Sequence, residues 1–214
     1  MARQCGLTLI GGDTTRGPLS LTMTVFGHVP VGQALTRGGA QAGDLLCVGG
    51  ELGNAAGALP LVLGQREADA TLAAPLLSHF WSPPPQIALG QALRGKATAA
   101  LDISDGLLAD CGHIARASSV ALCVELERLP LGAALTGLLG LDGARNAALS
   151  GGDDYVIAFT LPPAELAGLQ ADGWPVHVVG RVEAGSGVSL HDAQGRDITP
   201  AVRGYQHFRA VSYT

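Results

Sequence analysis

The chain is organised around ten residues, Leu101-Asp102-Ile103-Ser104-Asp105-Gly106-Leu107-Leu108-Ala109-Asp110. Residues 99 to 103 are mostly apolar and β-compatible, so they predict a strand. Either Ser104 or Asp105 can cap a following helix, because a short oxygen-bearing side chain accepts N–H groups of the first turn. That helix, predicted over residues 105–117, would have one buried stripe formed by Leu107, Cys111 and Ile114. The stretch therefore predicts a strand that turns directly into a helix.

Three polar side chains converge where the predicted strand meets the helix. Asp102 and Ser104 alternate onto one face of the strand end, and Asp105 lies on the turn just beyond it. Carboxylates at close range raise each other's pKa, and a divalent cation removes that conflict. Mg2+ prefers one or two carboxylates together with substrate phosphates. Two interpretations stay open on these residues alone: a magnesium site, or a capped helix with one solvated aspartate.

Composition places the chain among globular α/β proteins. Of its 214 residues, 47% are hydrophobic and 14% are charged, which is enough apolar material for a sizeable core. Predicted strands alternate with predicted helices, so the fold class is α/β or α+β, with a mixed sheet flanked by helices. The net charge of −5 argues against a nucleic-acid-binding surface. No apolar run is long enough to span a bilayer without interruption, so no membrane partner is expected.

Several familiar catalytic patterns are absent from the sequence. There is neither a G-x-x-x-x-G-K-[ST] phosphate loop nor a G-x-S-x-G nucleophile elbow. The six histidines are scattered without metal-ligand spacing. The four cysteines form no C-x-x-C pair and lie within apolar runs; they are Cys5, Cys47, Cys111 and Cys123. They are predicted to be reduced core residues of a cytoplasmic protein.

The first thirty residues predict a hairpin with a glycine-rich turn. Leu7–Ile10 and Leu19–Val29 are β-compatible, and the turn between them contains Gly12 and Asp13. Glycine lets a backbone approach phosphate closely, and Asp13 could hold a metal on that phosphate. Hairpin turns also favour these residue types for purely structural reasons. Because an isolated hairpin is only marginally stable, a partner segment is expected to precede it in the complete protein.

A second acidic turn lies downstream, at Ser150-Gly151-Gly152-Asp153-Asp154-Tyr155. Together with Asp13 and the acids of the central stretch, it makes an acid-rich and lysine-poor set. Such a set indicates that phosphate is handled through metal ions rather than through a lysine cradle. Arg37, in a loop that contains glycines, is open to two interpretations: a solvated side chain, or a contact to a phosphate or base.

Four motifs, in order, resemble those of the thiamine-monophosphate kinase family. The resemblance covers essentially the whole chain and places it in the superfamily of aminoimidazole ribonucleotide synthetase. It implies a C-terminal synthetase-like α/β domain that helps to transfer the γ-phosphoryl group of ATP to thiamine monophosphate, giving thiamine diphosphate. The motifs are Leu9-Ile10-Gly11-Gly12-Asp13-Thr14-Thr15-Arg16-Gly17-Pro18, Ala34-Leu35-Thr36-Arg37-Gly38-Gly39-Ala40, Leu101-Asp102-Ile103-Ser104-Asp105-Gly106-Leu107 and Leu149-Ser150-Gly151-Gly152-Asp153-Asp154-Tyr155, with a closing Gly204-Tyr205-Gln206-His207-Phe208.

The resemblance also implies roles for individual residues. Mg2+ would neutralise charge while the phosphoryl group passes between two anions, and no covalent intermediate is needed. Tyr205 would stack on the thiamine substrate, although an aromatic residue near a terminus can also be a packing residue. The implied set is ATP-binding Gly12, Arg37 and Ser104, metal-binding Asp13, Asp102 and Asp105, and substrate-binding Asp153 and Tyr205.

The sequence departs from the family pattern in three places. The family usually has glutamate where this chain has Asp153, and it has arginines around a turn that here reads Trp81-Ser82-Pro83-Pro84-Pro85-Gln86. The family also begins with a ferredoxin-like domain, whose G-x-D-D and S-T-D motifs hold metal ions and whose sheet forms a homodimer. Residues 1–30 match only the end of that domain, and residues 31–214 match the C-terminal domain. A carboxyl-terminal part with an incomplete active site is therefore expected; the alternative is an inactive ligand-binding or structural remnant.

Overall fold

The computed structural model describes residues 5–201 and residue 204. The chain falls into two units, with the boundary between Ala34 and Leu35. The predicted glycine-rich turn lies in the first unit, and the helices and strands named below lie in the second. The two units are described separately.

Helices and strands alternate along most of the second unit. The longest helix, α5, is interrupted at Gly140, where the backbone leaves the helical region with φ 70° and ψ 170°. No helix in the described part of the chain is long and apolar enough to cross a membrane. In chain order the elements are β1 (Leu45–Val48), α1 (Asn54–Val62), α2 (Ala70–Trp81), α3 (Ile87–Leu93), β2 (Ala99–Asp102), α4 (Leu107–Ser118), β3 (Ala121–Glu125), a 3-10 turn (Leu126–Arg128), α5 (Ala133–Ser150), β4 (Ile157–Leu161), α6 (Pro163–Ala171), β5 (His177–Glu183) and β6 (Gly187–His191).

The six strands form one sheet in the order β2-β4-β1-β5-β3-β6. Its neighbouring strands are antiparallel except β3 and β6, which are parallel. The sheet is therefore mixed, which confirms the predicted α/β class. Because β2 runs antiparallel to β4, the end of β2 lies beside the start of β4, and Asp102 is opposite Ile157. This edge of the sheet carries the polar residues described below.

Both faces of the sheet are covered by a hydrophobic core. Alternate residues of a strand point to opposite faces, and β1 contributes Leu46 to one core and Cys47 to the other. Helix α4 covers the first face, whereas α3 and α6 cover the second. The predicted stripe of α4 is confirmed, because its residues are fully buried in the first core; they are Leu107, Cys111 and Ile114.

Three helices form an additional layer beside the sheet. Helices α1, α2 and α5 pack against each other around a third core, in which Leu76 and Leu135 are buried. Gly57 allows this close approach, since a Cβ at that position would lie 2.4 Å from a methyl group of Leu135. The layer fixes the N-terminus of α1 next to the polar edge of the sheet.

The predicted N-terminal hairpin is not formed. Residues 7–34 contain neither helix nor strand. Apolar side chains of both predicted strands are exposed, Leu9 by 90% and Leu21 by 91%. A two-stranded hairpin needs a buried apolar face, because burial must offset the conformational entropy lost when the strands become ordered. Without that burial, the alternating pattern of residues 19–29 does not produce a strand.

The cysteines have no disulfide partners in the described part of the chain. Cys47, Cys111 and Cys123 are buried, as predicted, whereas Cys5 is partly exposed. Burial raises the pKa of the Cys47 and Cys111 thiols to about 12. Both thiols therefore stay protonated near neutral pH and act as small apolar core groups.

Candidate functional site

Two polar loops meet at the edge of the sheet where β2 ends and β4 begins. The first acidic loop comprises residues 103–106, and the second comprises residues 150–155. Their backbones are joined directly: the N–H of Asp153 donates to the carbonyl of Ser104 at 2.9 Å, and the N–H of Tyr155 donates to that of Ile103 at 2.9 Å. The structure thus brings together two of the motifs that the sequence contains 50 residues apart.

Glycines allow the two loops to approach each other this closely. A Cβ on Gly152 would lie 2.2 Å from the carbonyl oxygen of Ser104. Gly106 has a φ of 116°, which disfavours other residues, and a Cβ there would lie 2.9 Å from the backbone of Ser150. The glycines of both motifs therefore serve contact between the loops.

Gly152→Ala is expected to destabilise the chain by roughly 1–3 kcal/mol, because the new methyl group must push the two loops apart. The matched control is Gly168→Ala in α6, where a Cβ meets nothing within 4 Å. That change should raise the free energy of unfolding by about 0.5–1 kcal/mol. Denaturant unfolding of both variants checks the prediction, and equal effects of the two substitutions would contradict it.

A cavity of about 800 Å3 opens between the two loops and helix α1. Two carboxylates line it, Asp105 and Asp153, and none of the described residues around it is a lysine or an arginine. Part of its wall is apolar. A cavity of this kind repels a bare phosphate and attracts a cation. The lining residues are Ala55, Ala56, Leu59, Phe80, Ser104, Asp105, Ser150, Gly151, Gly152, Asp153, Tyr155 and Gly204.

Tyr155 lies among the carboxylates of this site. Its hydroxyl donates to Asp153 Oδ1 at 3.0 Å, and the backbones of Asp153 and Tyr155 have positive φ angles of 65° and 51°. The hydrogen bond to Asp153 raises the pKa of the Tyr155 phenol, and so do burial and the charges of Asp153, Asp102 and Asp105. Tyr155 therefore belongs to the candidate site through its hydrogen bond to Asp153, and no role was predicted for it.

Two further carboxylates are buried beneath the loops. Asp110, in the first turn of α4, accepts hydrogen bonds at Oδ2 from the N–H groups of Ser104, Asp105 and Gly106, at 2.9, 2.9 and 3.2 Å. Burial raises the pKa of Asp110, and these N–H groups oppose that effect. The helix begins at Leu107 with Gly106 as its N-cap, and no side chain caps it there. The prediction that Ser104 or Asp105 caps the helix is therefore wrong: Gly106 is the N-cap, and Asp110 binds amides of the loop before the helix rather than those of the first turn.

Asp154, in the second acidic loop, is also a buried carboxylate that binds backbone amides. Its side chain accepts from Gly53 N–H at 2.6 Å and from Ala55 N–H at 3.1 Å, at the N-terminus of α1. His79 of α2 is hydrogen-bonded to the Asp154 carbonyl at 3.1 Å. Burial raises the pKa of Asp154, and these N–H groups oppose that effect. Two sequence features could have indicated these buried acids: an acid in the first turn of a helix, and a second aspartate beside Asp153.

Of the other predicted residues in the second unit, Asp102 and Arg37 are not among those that line the cavity. Asp102 is exposed at the end of β2. Arg37 is exposed and is not among the cavity residues. Its backbone carbonyl accepts a hydrogen bond from the Ser118 hydroxyl at 3.3 Å. Gly12 and Asp13 are in the first unit, where Asp13 Oδ1 accepts from Thr14 N–H at 2.8 Å. Tyr205 lies outside the described residues.

The donor set of the site suits a hard cation. Within residues 5–201 and 204, no group of three or more His, Cys, Asp or Glu side chains is arranged to hold a metal ion. Mg2+ needs fewer protein ligands, because it is commonly bound by one or two carboxylates and completes its shell with water and phosphate oxygens. Asp102 and Asp105, with Ser104 between them, offer oxygen donors only. These residues therefore fit Mg2+, whose binding here stays a prediction.

Comparison with known proteins identifies the domain. A family model described as AIR synthase related protein, C-terminal domain, matches residues 41–193. The chain belongs to this family. Thiamine-monophosphate kinase of Escherichia coli (strain K12) is 40% identical over an alignment of 207 residues that covers 94% of this chain and 64% of that protein. The enzyme of Caulobacter vibrioides is 38% identical over an alignment of 213 residues that covers 94% of this chain and 59% of that protein. The chain thus spans about three fifths of the length of these relatives.

Solved structures agree with the family assignment. Thiamine-monophosphate kinase from Stenotrophomonas maltophilia K279a has a TM-score of 0.71 and 42% identity, over 76% of this chain and 54% of that chain. A structure described as AaThiL complexed with AMPPCP and TMP has a TM-score of 0.69 and 32% identity, over 81% and 54% of the two chains. The resemblance to thiamine-monophosphate kinases is therefore confirmed for this AIR synthase related domain.

Proposed function

We propose that this domain serves the ATP-dependent phosphorylation of thiamine monophosphate to thiamine diphosphate. One observation supports this function above all others: a cavity lined by two carboxylates and by apolar side chains, with no lysine or arginine among its described lining residues. Such a cavity accepts a phosphate only through a divalent cation, and its wall can accept an organic ring. The printed description of one related structure names both AMPPCP and TMP as ligands of that protein.

Each residue of the site has a proposed task. Asp102 and Asp105 would hold Mg2+ together with Asp13, and Ser104, Gly12 and Arg37 would contact ATP. Mg2+ supplies charge neutralisation for transfer between two anions. Asp153 would bind the thiamine substrate, oriented by its hydrogen bond from Tyr155, with Tyr205 stacking on the rings. The apolar wall of the cavity would exclude water beside the substrate; it includes Ala55, Leu59 and Phe80.

The proposed domains follow the division of the chain into two units. We propose that residues 1–30 belong to an N-terminal domain that binds ATP and Mg2+, and that residues 31–214 form the synthetase-like domain. The unit boundary between Ala34 and Leu35 is close to this division.

An inactive binding module is the second candidate function. Its support is that the chain spans only 64% of the Escherichia coli relative. In-line phosphoryl transfer depends on positioning and on charge neutralisation, and the loss of a single such contact can cost about 100-fold in rate. A chain that provides only part of the metal cluster would bind ligands without catalysing the reaction.

A chimera separates the two candidates. In it, this chain replaces the 207 matched residues of the Escherichia coli enzyme, so that the rest of that protein is present. The chimera is expected to form thiamine diphosphate from ATP, Mg2+ and thiamine monophosphate, whereas the 214-residue chain alone is expected to show no turnover. Circular dichroism and thermal unfolding confirm that both proteins are folded. A folded chimera without turnover would favour the inactive module, and turnover by the chain alone would refute the incomplete site.

A further inference from the structure

The feature with the most unusual bonding in the molecule is the Asp110 carboxylate. It is 4% exposed, and a single oxygen accepts three consecutive backbone N–H groups, those of Ser104, Asp105 and Gly106. An ordinary helix cap satisfies amides inside the first turn of its own helix. These three amides precede the first residue of α4, so the carboxylate bonds the loop rather than the helix. These three hydrogen bonds attach the first acidic loop to α4 on the side of the loop that faces the core.

The position of the loop depends on this contact. Consecutive N–H groups that converge on one point form a concave site that attracts anions. Here Asp110 itself fills that site, so the amides are turned toward the core while Ser104 and Asp105 line the cavity on the other side. The backbone conformation that permits this arrangement includes the φ of 116° at Gly106. The second loop then bonds the outer side of the first, through Asp153 N–H and the Ser104 carbonyl.

We propose that Asp110 is a positioning residue for the acidic site: it fixes the backbone of the first acidic loop so that Asp105 is held in place to bind a divalent cation. The inference rests on the proposed function, since it assigns Asp105 to the cation. A ligand held in advance gains affinity because less conformational entropy is lost when the cation binds. Groups that orient metal ligands from outside typically contribute 10- to 100-fold in metal affinity.

If Asp110 had a purely structural role, its loss would reduce stability without weakening cation binding. Asp69 caps α2 by accepting from Thr71 N–H at 2.8 Å, and it is not among the residues of the cavity. Loss of the Asp69 carboxylate should reduce stability and leave cation binding unchanged. If Asp110 were also only a helix-stabilising residue, its loss would have the same consequences. Asp69→Ala is therefore the matched control.

The test uses the isotope-labelled 214-residue chain and Mn2+ as a paramagnetic probe. In the wild type, Mn2+ should broaden the amide signals of residues 102–106, and Mg2+ should reverse the broadening. Asp110→Ala should weaken Mn2+ binding at least about 10-fold and speed hydrogen exchange at the three bonded amides. Asp110→Asn keeps an accepting oxygen. It should therefore bind Mn2+ more tightly than Asp110→Ala and show slower hydrogen exchange at the three amides. Asp69→Ala should bind Mn2+ like the wild type.

The outcomes separate the inference from the proposed function. If the wild type binds Mn2+ at residues 102–106 and folded Asp110→Ala binds it equally well, Asp110 does not position the site, and the proposed function is unaffected. If the wild type shows no broadening there, the proposed cation site is refuted. The inference then fails with it, because Asp105 would have no cation to bind. Where the wild type does bind Mn2+, unchanged hydrogen exchange at the three amides in Asp110→Ala would also overturn the inference.

Discussion

Asp105→Asn in the chimera is expected to lower the rate of thiamine diphosphate formation at least about 100-fold. The substitution keeps the shape of the side chain but removes the negative charge that would bind Mg2+ at the cavity. The acid-rich cavity has no lysine or arginine among its described lining residues. None of those described residues could replace the metal in neutralising the phosphates, so the loss should fall mainly on kcat. Initial rates at several Mg2+ concentrations measure the effect.

The control for this prediction is Asp142→Asn. Asp142 is on α5, where its carboxylate is 99% exposed and lies 3.8 Å from Arg145. The substitution changes the same charge away from the cavity and should leave the rate within twofold of the chimera's, as expected for an exposed ion pair. If the Asp105→Asn variant turned over at the rate of the unmodified chimera, Asp105 would not bind Mg2+. Its role would then be structural, in the turn before α4.

Asp154→Ala is expected to lower the free energy of unfolding by about 3 kcal/mol or more. The substitution leaves two buried N–H groups at the N-terminus of α1 without acceptors, those of Gly53 and Ala55. Each unsatisfied buried group costs about 1–3 kcal/mol. For a protein of this size, such a loss corresponds to a decrease in Tm of roughly 6–12 °C. Calorimetry or thermal circular dichroism measures this change.

The matched control is again Asp69→Ala, which removes the cap of an exposed helix end. Water can replace the lost acceptor at that position, so the decrease in Tm should be clearly smaller. A loss in Asp154→Ala no larger than that in Asp69→Ala would show that the α1 amides find other partners. In that case Asp154 would not be an anchor of the second acidic loop.

Each acidic motif therefore contains carboxylates with two different tasks. Asp105 and Asp153 line the cavity, whereas Asp110 and Asp154 are buried and bind backbone amides. The burial of one aspartate in each motif explains why the loops keep a fixed shape although glycines make up part of both. The two tasks predict opposite signatures: substitution of the cavity acids should mainly change activity, and substitution of Asp154 should mainly change stability.

The sequence by itself determined the class of the fold and the residue types of the site. Periodicity predicted the buried stripe of α4, which is confirmed, and the alternation of strands and helices predicted the mixed sheet. These features follow from local patterns, because one face of each element must be apolar to be buried. The resemblance predicts that Asp102, Asp105 and Asp153 share one site; Asp105 and Asp153 line one cavity, whereas Asp102 is exposed at the end of β2.

Tertiary structure alone decided which carboxylates face the cavity and which are buried. Asp110 and Asp154 differ little in local sequence from the acids beside them, and their partners are amides brought close by the turn before α4 and by the packing of α1. The absence of the N-terminal hairpin was also undetermined by the sequence, because its alternating pattern predicts strands only where a partner surface buries the apolar face. The local sequence pattern determines which secondary structure a segment can adopt. Long-range contacts determine whether that structure forms and whether its polar side chains are buried or face the cavity.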